Sequence, residues 1–222
     1  MKSKCIYAAT VLCMVAVCVA LQFSGLGARS VRVHQHLSGA WQRAESMRED
    51  ESPLHTHLPI LQIDTGGQAV PGAPGPDGVI ADDSRIRVSF SLTDGQTGDN
   101  SPLDPPTVST HADIRYRGNS SRFFDKKSYS IHLVDENGAE DPQALAGMAA
   151  HDEWALNGPF LDRTLLRNYL CLNVAGEIME YAPNVRYCEL YLNGEYQGLY
   201  LLMETVSKCS CTVKYHKKIM SN

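Results

Sequence analysis

The sequence predicts an α+β domain in which one main helix packs on one face of an antiparallel sheet. Three observations support this fold class. Several segments alternate apolar and polar residues with the period of a half-buried strand, and one run over residues 162–181 repeats apolar residues at helical intervals. Residues 186–192 and 195–203 are two further strand-like segments, and Asn193 and Gly194 between them favour a tight hairpin turn.

The first two strands are predicted on either side of a loop rich in proline and glycine. Residues 58–64 (LPILQID) form a short apolar run that ends at Gly66 and Gly67. Residues 71–78 (PGAPGPDG) have the composition of a loop, and residues 85–92 (RIRVSFSL) alternate with period two. We therefore expect a strand at each end of this loop.

Two more strands and the helix complete the predicted elements. Residues 112–117 and 127–134 are the strand candidates, and the second places Tyr129 on the same face as two other apolar side chains. Asp162 is a suitable N-cap for the helical run, and Pro183 stops it. The order is thus several strands, one helix and a final hairpin.

The N-terminus predicts export. Lys2 and Lys4 precede residues 5–23, which contain no charged residue. This pattern fits either a cleaved signal peptide or an uncleaved membrane anchor, and both alternatives remain open. We therefore assign residues 1–28 to a signal peptide or anchor, and we expect a protein that is secreted or held in the membrane through residues 5–23. Residues 29–57 are polar and mixed in charge, as expected of a stalk.

The composition excludes two broad classes. Of the 222 residues, 43% are apolar and 20% are charged, so most of the chain can bury a core and is not intrinsically disordered. The 20 Lys and Arg residues against 25 Asp and Glu residues give a formal net charge of −5. Because nucleic-acid binding depends on clustered cations, we expect no nucleic-acid partner.

One polar turn has the composition of a phosphate-binding loop. It consists of Arg117, Gly118, Asn119, Ser120 and Ser121, and two lysines follow it on the way to the next strand. Backbone N–H groups of such a turn, with a basic side chain nearby, hold phosphate oxygens in other proteins. The same Asn-Ser-Ser triplet is an acceptor for N-glycosylation in an exported protein, and the two uses exclude each other.

Six segments together carry a resemblance to a known family. They resemble the spore coat protein H (CotH) family of kinase-like proteins, over residues 58–206 and in the order of that family. The segments are LPILQIDTGG, IRYRGNSS, KKSYSIHL, LAGM, EWALNGPFLDRTLLRN and CELYLNGEYQGLYLLMET. The resemblance implies the N-terminal lobe of a divergent protein-kinase-like fold and an ATP-dependent phosphorylation of proteins. Other members of that family are surface proteins implicated in adhesion, so the resemblance also allows such a role.

The resemblance further implies a nucleotide site that uses ATP with magnesium. The loop from Arg117 through Ser120 would cover the phosphates, and Lys127 would pair with them. Glu177 would be the partner of that lysine, and Glu204 would lie beside the adenine. Lys126 competes with Lys127 for the pairing role, because alternation along the strand does not by itself decide which face carries the nucleotide. The expected partner is a protein substrate, or a surface or coat protein.

The acidic residues expected of a phosphotransferase are missing from the end of the sequence. Phosphoryl transfer needs carboxylates that hold magnesium and orient the attacking hydroxyl, and no Asp or Glu follows Glu204. We therefore assign no catalytic residue and no metal ligand, and we expect an incomplete CotH-like domain over residues 58–206 with an unrelated tail at 207–222. The alternative is a non-enzymatic surface module for adhesion or coat assembly.

Overall fold

The computed structural model describes residues 10–17, 19–20, 34–35, 55–95, 99–179 and 181–205. The chain divides into two compact units, residues 1–33 and residues 34–222. In the first unit residues 10–17 are helical, and much of the expected membrane segment at residues 5–23 lies outside the described residues. Within the described part of the chain, we find no helix with both the length and the apolar character needed to cross a membrane.

The described part of the second unit contains nine strands, one α-helix and a short 3-10 helix. The strands are β1 (Ile60–Asp64), β2 (Ile86–Thr93), β3 (Val108–Arg117), β4 (Ser128–Val134), β5 (Gln143–Ala144), β6 (Ala150–His151), β7 (Glu153–Asn157), β8 (Val185–Leu192) and β9 (Glu195–Glu204). The helix α1 spans Arg167–Ile178, and the 3-10 helix spans Ser120–Phe123.

Seven of the strands form a closed barrel in the order β1-β2-β3-β4-β7-β9-β8. Neighbouring strands are antiparallel except for β1 and β8, which pair in parallel from Ile60 opposite Glu189 to Ile63 opposite Leu192. The predicted fold class, an antiparallel sheet with one main helix resembling the N-terminal lobe of a kinase-like fold, is therefore wrong. Because β1 pairs with β2 on one side and with β8 on the other, the sheet closes on itself, and its inner face forms the core without a helix to cover it.

The barrel interior is an apolar core. Alternate residues of each strand point inward, as the strand period requires, and Trp154 on β7 is fully buried among them. Its indole N–H donates to the carbonyl oxygen of His151 at 2.9 Å, so the one polar atom of this side chain is satisfied. Ile114, Ile131 and Leu133 are likewise fully buried in the neighbouring strands.

The helix α1 packs on the outside of the barrel. Tyr169 stacks on Tyr187 with ring centroids 4.7 Å apart and contacts a small second core with Val185 and Leu201. The other face of the helix is exposed. The exposed apolar stripe consists of the N-cap Leu166 and of Leu170, Val174 and Ile178 in the helix, which are 55%, 59%, 49% and 72% exposed.

All six predicted strands are confirmed, although several predicted boundaries move. Strands lie within or across each of the six segments predicted to form them, and the hairpin turns at Asn193 and Gly194 with positive φ angles of 52° and 79°. The helix begins at Arg167, later than predicted from Asp162, although the Asp162 carboxylate still accepts a hydrogen bond from the Arg167 N–H at 2.8 Å. The sequence did not predict β5, β6 or β7.

Candidate functional site: a basic loop at one end of the barrel

The phosphate-loop candidate lies at one end of the barrel, between β3 and β4. Residues 117–127, called here the basic loop, contain four cationic side chains and one carboxylate. Its first four residues, from Arg117 to Ser120, are exposed. Gly118 has a φ of +111°, and a Cβ at this position would lie 1.9 Å from Ser121 Oγ. The loop conformation therefore requires glycine here.

A buried arginine holds the basic loop against the barrel. Arg122 is 7% exposed, and its guanidinium donates to Asp83 Oδ1 at 2.7 Å and to the Gly72 carbonyl oxygen at 3.4 Å. Asp83 also forms an ion pair with Arg115 on β3. The hydrogen bonds from Arg122 and Arg115 lower the pKa of the Asp83 carboxyl. Asp83 therefore compensates two of the cations near the loop, but not its two lysines.

The two lysines of the basic loop point to different places. Lys127 Nζ donates to the carbonyl oxygen of Arg122 at 2.8 Å, so its ammonium lies against the loop backbone. Lys126 Nζ lies 4.6 Å from the centroid of the Tyr200 ring and donates to the Gln197 carbonyl oxygen at 3.4 Å. Burial lowers the pKa of Lys126. Of the two lysines, Lys127 is thus the one with its ammonium against the backbone of the basic loop, whereas the Lys126 ammonium lies against β9.

Glu177, the expected partner of that lysine, lies on α1 outside the barrel. Its Oε1 is 2.9 Å from His34 Nε2, and the other nitrogen of His34 lies 2.9 Å from Asn173 Oδ1. Among the ion pairs of the described residues, none joins Glu177 to Lys127. The structure therefore places this carboxylate in a contact between α1 and His34.

Glu204 lies at the barrel end opposite the basic loop. It ends β9, where it pairs with Trp154 at the start of β7, whereas the loop enters β4 beside the end of β7. Its carboxylate is buried and accepts hydrogen bonds from the Asn184 backbone N–H at 2.8 Å and from the Asn184 side chain at 2.9 Å. His151 Nε2 is 3.7 Å away. The structure does not bring Glu204 together with the loop.

A cleft elsewhere on the barrel is acidic and does not suit phosphate. It has a volume of about 360 Å³, and three of its seven lining residues are carboxylates. The lining residues are Ser89, Ser109, Thr110, His111, Asp135, Glu136 and Asp141. Because like charges repel, the carboxylates of this cleft disfavour an anionic ligand.

A second cluster of chemically active side chains lies at the far end of β4. His132, Glu140 and Asp152 each offer one donor atom, and these three atoms lie within 4.8 Å of one another. His132 Nε2 is 3.3 Å from Asp152 Oδ2. The three residues come from separate segments with no regular spacing, so a pattern in the sequence does not reveal them.

Comparison with known proteins relates part of this chain to one family. Residues 114–220 match the family model described as CotH kinase protein. The chain is also 33% identical over 96 residues to the inner spore coat protein H of Bacillus subtilis strain 168. The aligned segment is 43% of this chain and 24% of that protein. The chain is therefore similar to the CotH family over somewhat less than half of its length.

The CotH match includes most of the candidate site but not the whole barrel. The basic loop, both of its lysines, Glu177 and Glu204 all lie within residues 114–220. The strands β1 and β2 precede the match, although they complete the barrel. The chain spans 24% of the length of the Bacillus relative that it matches.

Sequence reasoning missed the residues that fix the basic loop in place. Arg122 and Asp83 are 39 positions apart, and an arginine in an exposed-looking loop gives no sign that it is buried. The Gly118 requirement was partly visible, because glycine in a polar turn often marks a positive φ angle. The burial of Arg122 depends on tertiary contacts with the segment before β2.

Proposed function

We propose that this chain binds the phosphates of ATP at the basic loop, as the resemblance to a family with a parent activity of ATP-dependent protein phosphorylation implies. The observation that carries the proposal is the position of Lys127, whose ammonium lies on the loop backbone at 2.8 Å from the Arg122 carbonyl oxygen. An ammonium has three N–H donors, and this contact uses one of them. Two donors remain for phosphate oxygens beside the exposed turn that begins at Arg117.

The residues present suit the phosphates better than they suit magnesium. Magnesium in phosphotransferases is held by carboxylate and amide oxygens close to the phosphates. The carboxylate of Asp83 is already bonded to Arg122 and Arg115. Asp125, the carboxylate within the loop, is exposed. We therefore propose weak ATP binding that does not depend on magnesium, and a catalytically incomplete site. ATP would supply the transferable phosphoryl group, and the loop would bind and orient it.

Titration calorimetry with the full chain tests this proposal. Lys127→Ala should weaken ATP binding by about tenfold, because a charge-assisted hydrogen bond contributes roughly 1.5–3 kcal/mol. Lys126→Ala should have a smaller effect, since Lys126 lies against Tyr200. Arg163→Ala is the matched control, because Arg163 is an exposed cation outside the loop.

Magnesium provides the second arm of this titration. Adding the ion should change the ATP affinity of the wild-type chain by less than about twofold, because one exposed carboxylate binds it weakly. Tight magnesium-dependent binding, or transfer of phosphate to a protein, would contradict the incomplete site. Equal affinities of wild type and Lys127→Ala would contradict the role of the loop.

A non-enzymatic assembly module is the second candidate function. The exposed apolar stripe on α1 favours it, because contiguous apolar surface of this kind marks interaction sites on soluble domains. The relative from Bacillus subtilis carries the name of an inner spore coat protein. We propose a coat or surface protein as the partner in this case, and a location outside the cytosol, consistent with the uncharged residues 5–23.

Two variants separate the candidates in the source cells. If assembly is the function, Leu170→Gln with Val174→Gln should release a tagged chain from the coat or surface, while Lys127→Ala stays bound. If nucleotide binding is the function, Lys127→Ala should weaken ATP binding by the tagged chain, while the double glutamine variant keeps the wild-type ATP affinity. The mature N-terminus, read from the same preparations, decides between a cleaved signal peptide and an anchor.

A further inference from the structure

We propose that His132, Glu140 and Asp152 bind a divalent transition-metal ion such as Zn²⁺. The site lies at the end of β4 away from the basic loop, so it is independent of the nucleotide site proposed above. His132 points outward from β4, because its neighbours Ile131 and Leu133 are buried in the barrel core.

Backbone hydrogen bonds fix the other two residues against the same strand. The Leu133 N–H donates to the Asp152 carbonyl oxygen at 2.7 Å, which holds Asp152 beside β4. Glu140 forms an isolated antiparallel bridge with Val134. The turn between β4 and Glu140 is itself closed by the Asp135 carboxylate, which accepts two backbone N–H bonds at 2.8 Å. The three ligands are thus held in place by the fold.

The contact between His132 and Asp152 has the separation of two ligands of one cation. Nε2 and Oδ2 are 3.3 Å apart, and Nε2 is buried without a hydrogen-bond partner in the described structure. Ligand atoms that each lie about 2.0–2.2 Å from a tetrahedral ion are about 3.3–3.6 Å from each other. An ion bound by both residues therefore explains why His132 Nε2 and Asp152 Oδ2 lie close together without forming a hydrogen bond.

The donor set selects the class of ion. One imidazole and two carboxylates form a mixed nitrogen and oxygen site, which suits Zn²⁺ and its transition-metal neighbours, whereas Ca²⁺ and Mg²⁺ prefer oxygen ligands alone. Three protein ligands leave at least one position for water. Glu140 and Asp152 lie at the two ends of the segment that contains β5 and β6. The ion would therefore connect both ends of this segment to β4.

The test is titration of the chelator-treated full chain with ZnCl₂, followed by calorimetry and thermal unfolding. We expect one tight site per chain and a higher unfolding midpoint with Zn²⁺, since a ligand that binds only the folded state stabilises it. His132→Ala and Glu140→Gln should each weaken binding by at least about tenfold and remove most of the midpoint shift.

Matched controls come from the same surface. His111→Ala removes an outward histidine of β3, and Glu136→Gln removes an exposed carboxylate from the same turn as Glu140. Both control variants should bind Zn²⁺ with an affinity within about twofold of wild type, because loss of a metal ligand lowers the affinity by much more than that. Glu140 is exposed, so Glu140→Gln remains informative even if His132→Ala fails to fold.

Three results would overturn the proposal. The first is wild-type protein that binds no Zn²⁺. The second is wild-type affinity in Glu140→Gln, which would assign any bound ion to other histidines or leave His132 and Asp152 as an ion pair. The third is Ca²⁺ binding as tight as Zn²⁺ binding, which would exclude a nitrogen-preferring site.

Discussion

At the scale of single residues, the basic loop depends on one glycine and one buried arginine. Gly118 allows the backbone to turn out of β3, and Arg122 returns it to the barrel through Asp83. The sequence indicated the loop because a glycine among small polar residues is typical of a turn. It did not indicate the burial of Arg122, and the structure holds Glu177 and Glu204 elsewhere. Their roles at the nucleotide remain predictions.

Replacing Gly118 with alanine should strain the loop. Its φ of +111° is unfavourable for any L-residue with a side chain, and the new Cβ would displace the Ser121 hydroxyl. We expect a loss of about 1–3 kcal/mol in the free energy of unfolding, measured by urea denaturation. Gly147→Ala is the control, because Gly147 has a φ of +71° but open space around it. If Gly147→Ala lowers the free energy of unfolding more than Gly118→Ala does, the contact with Ser121 does not determine the cost at Gly118.

At the scale of elements, local patterns predicted the strands but not their closure. Period-two alternation in β2 and the Asn193-Gly194 turn between β8 and β9 are short-range signals, and both are confirmed. β7 was missed because five residues with three consecutive buried positions show no alternation. The helical run was detected, although its apolar residues include the exposed stripe as well as the buried Tyr169.

The two faces of α1 should respond differently to substitution. Leu170→Gln should change the free energy of unfolding by less than about 0.5 kcal/mol, because the side chain is exposed and glutamine is a good helix former. Tyr169→Ala should cost about 3 kcal/mol, because it removes a buried ring that stacks on Tyr187. Urea denaturation of both variants measures the difference. A large loss in Leu170→Gln would mean that the stripe is covered in solution, and analytical ultracentrifugation would then identify self-association.

At the scale of the whole molecule, the barrel exists only because β1 joins β2 to β8. The two ends of this closure are far apart in the chain, and no local pattern distinguishes a barrel strand from the strand of an open sheet. The prediction of an antiparallel sheet with one main helix on one face failed for this reason. The burial of Ile60, Leu61 and Ile63, all at most 2% exposed, shows that β1 is part of the core.

Deleting β1 should therefore disrupt folding. A chain that starts after residue 65 should lose cooperative thermal unfolding, because its β2 and β8 edges are unpaired and the core is open on one side. A chain that starts at His34 is the control, since the compact unit of residues 34–222 remains intact. Calorimetry compares the two. A sharp transition in the shorter chain would show that β1 is dispensable.

Acid should weaken the fold through carboxylates that are hydrogen-bonded in the folded state. The pKa of Asp83 is lowered by its hydrogen bond with Arg122, and the pKa of Asp135 is lowered by the Ala139 N–H. A lowered folded-state pKa stabilises the protein above the unfolded pKa, and this contribution is lost as the pH falls below about 4. Burial raises the pKa of Asp94, which acts in the opposite direction.

The measurement is the urea midpoint at pH 6 and at pH 3.5. We expect a lower midpoint at pH 3.5, and a smaller decrease in Asp83→Asn, which has no carboxylate to protonate at that position. A midpoint that is equal at the two pH values would show that the carboxylates do not govern acid stability.

The parallel pairing of β1 with β8 also has a consequence for how the chain reaches its native state. The paired residues are about 130 positions apart, which gives the barrel a high contact order and a slow closing step. During synthesis, β1 emerges long before its second partner exists, while the β8–β9 hairpin forms from neighbours in the chain. Until residue 192 is available, the outer edge of β1 remains an unpaired template for other strands. The nascent chain is thus exposed to misassembly for most of its translation, and its refolding rate should be limited by this single late pairing.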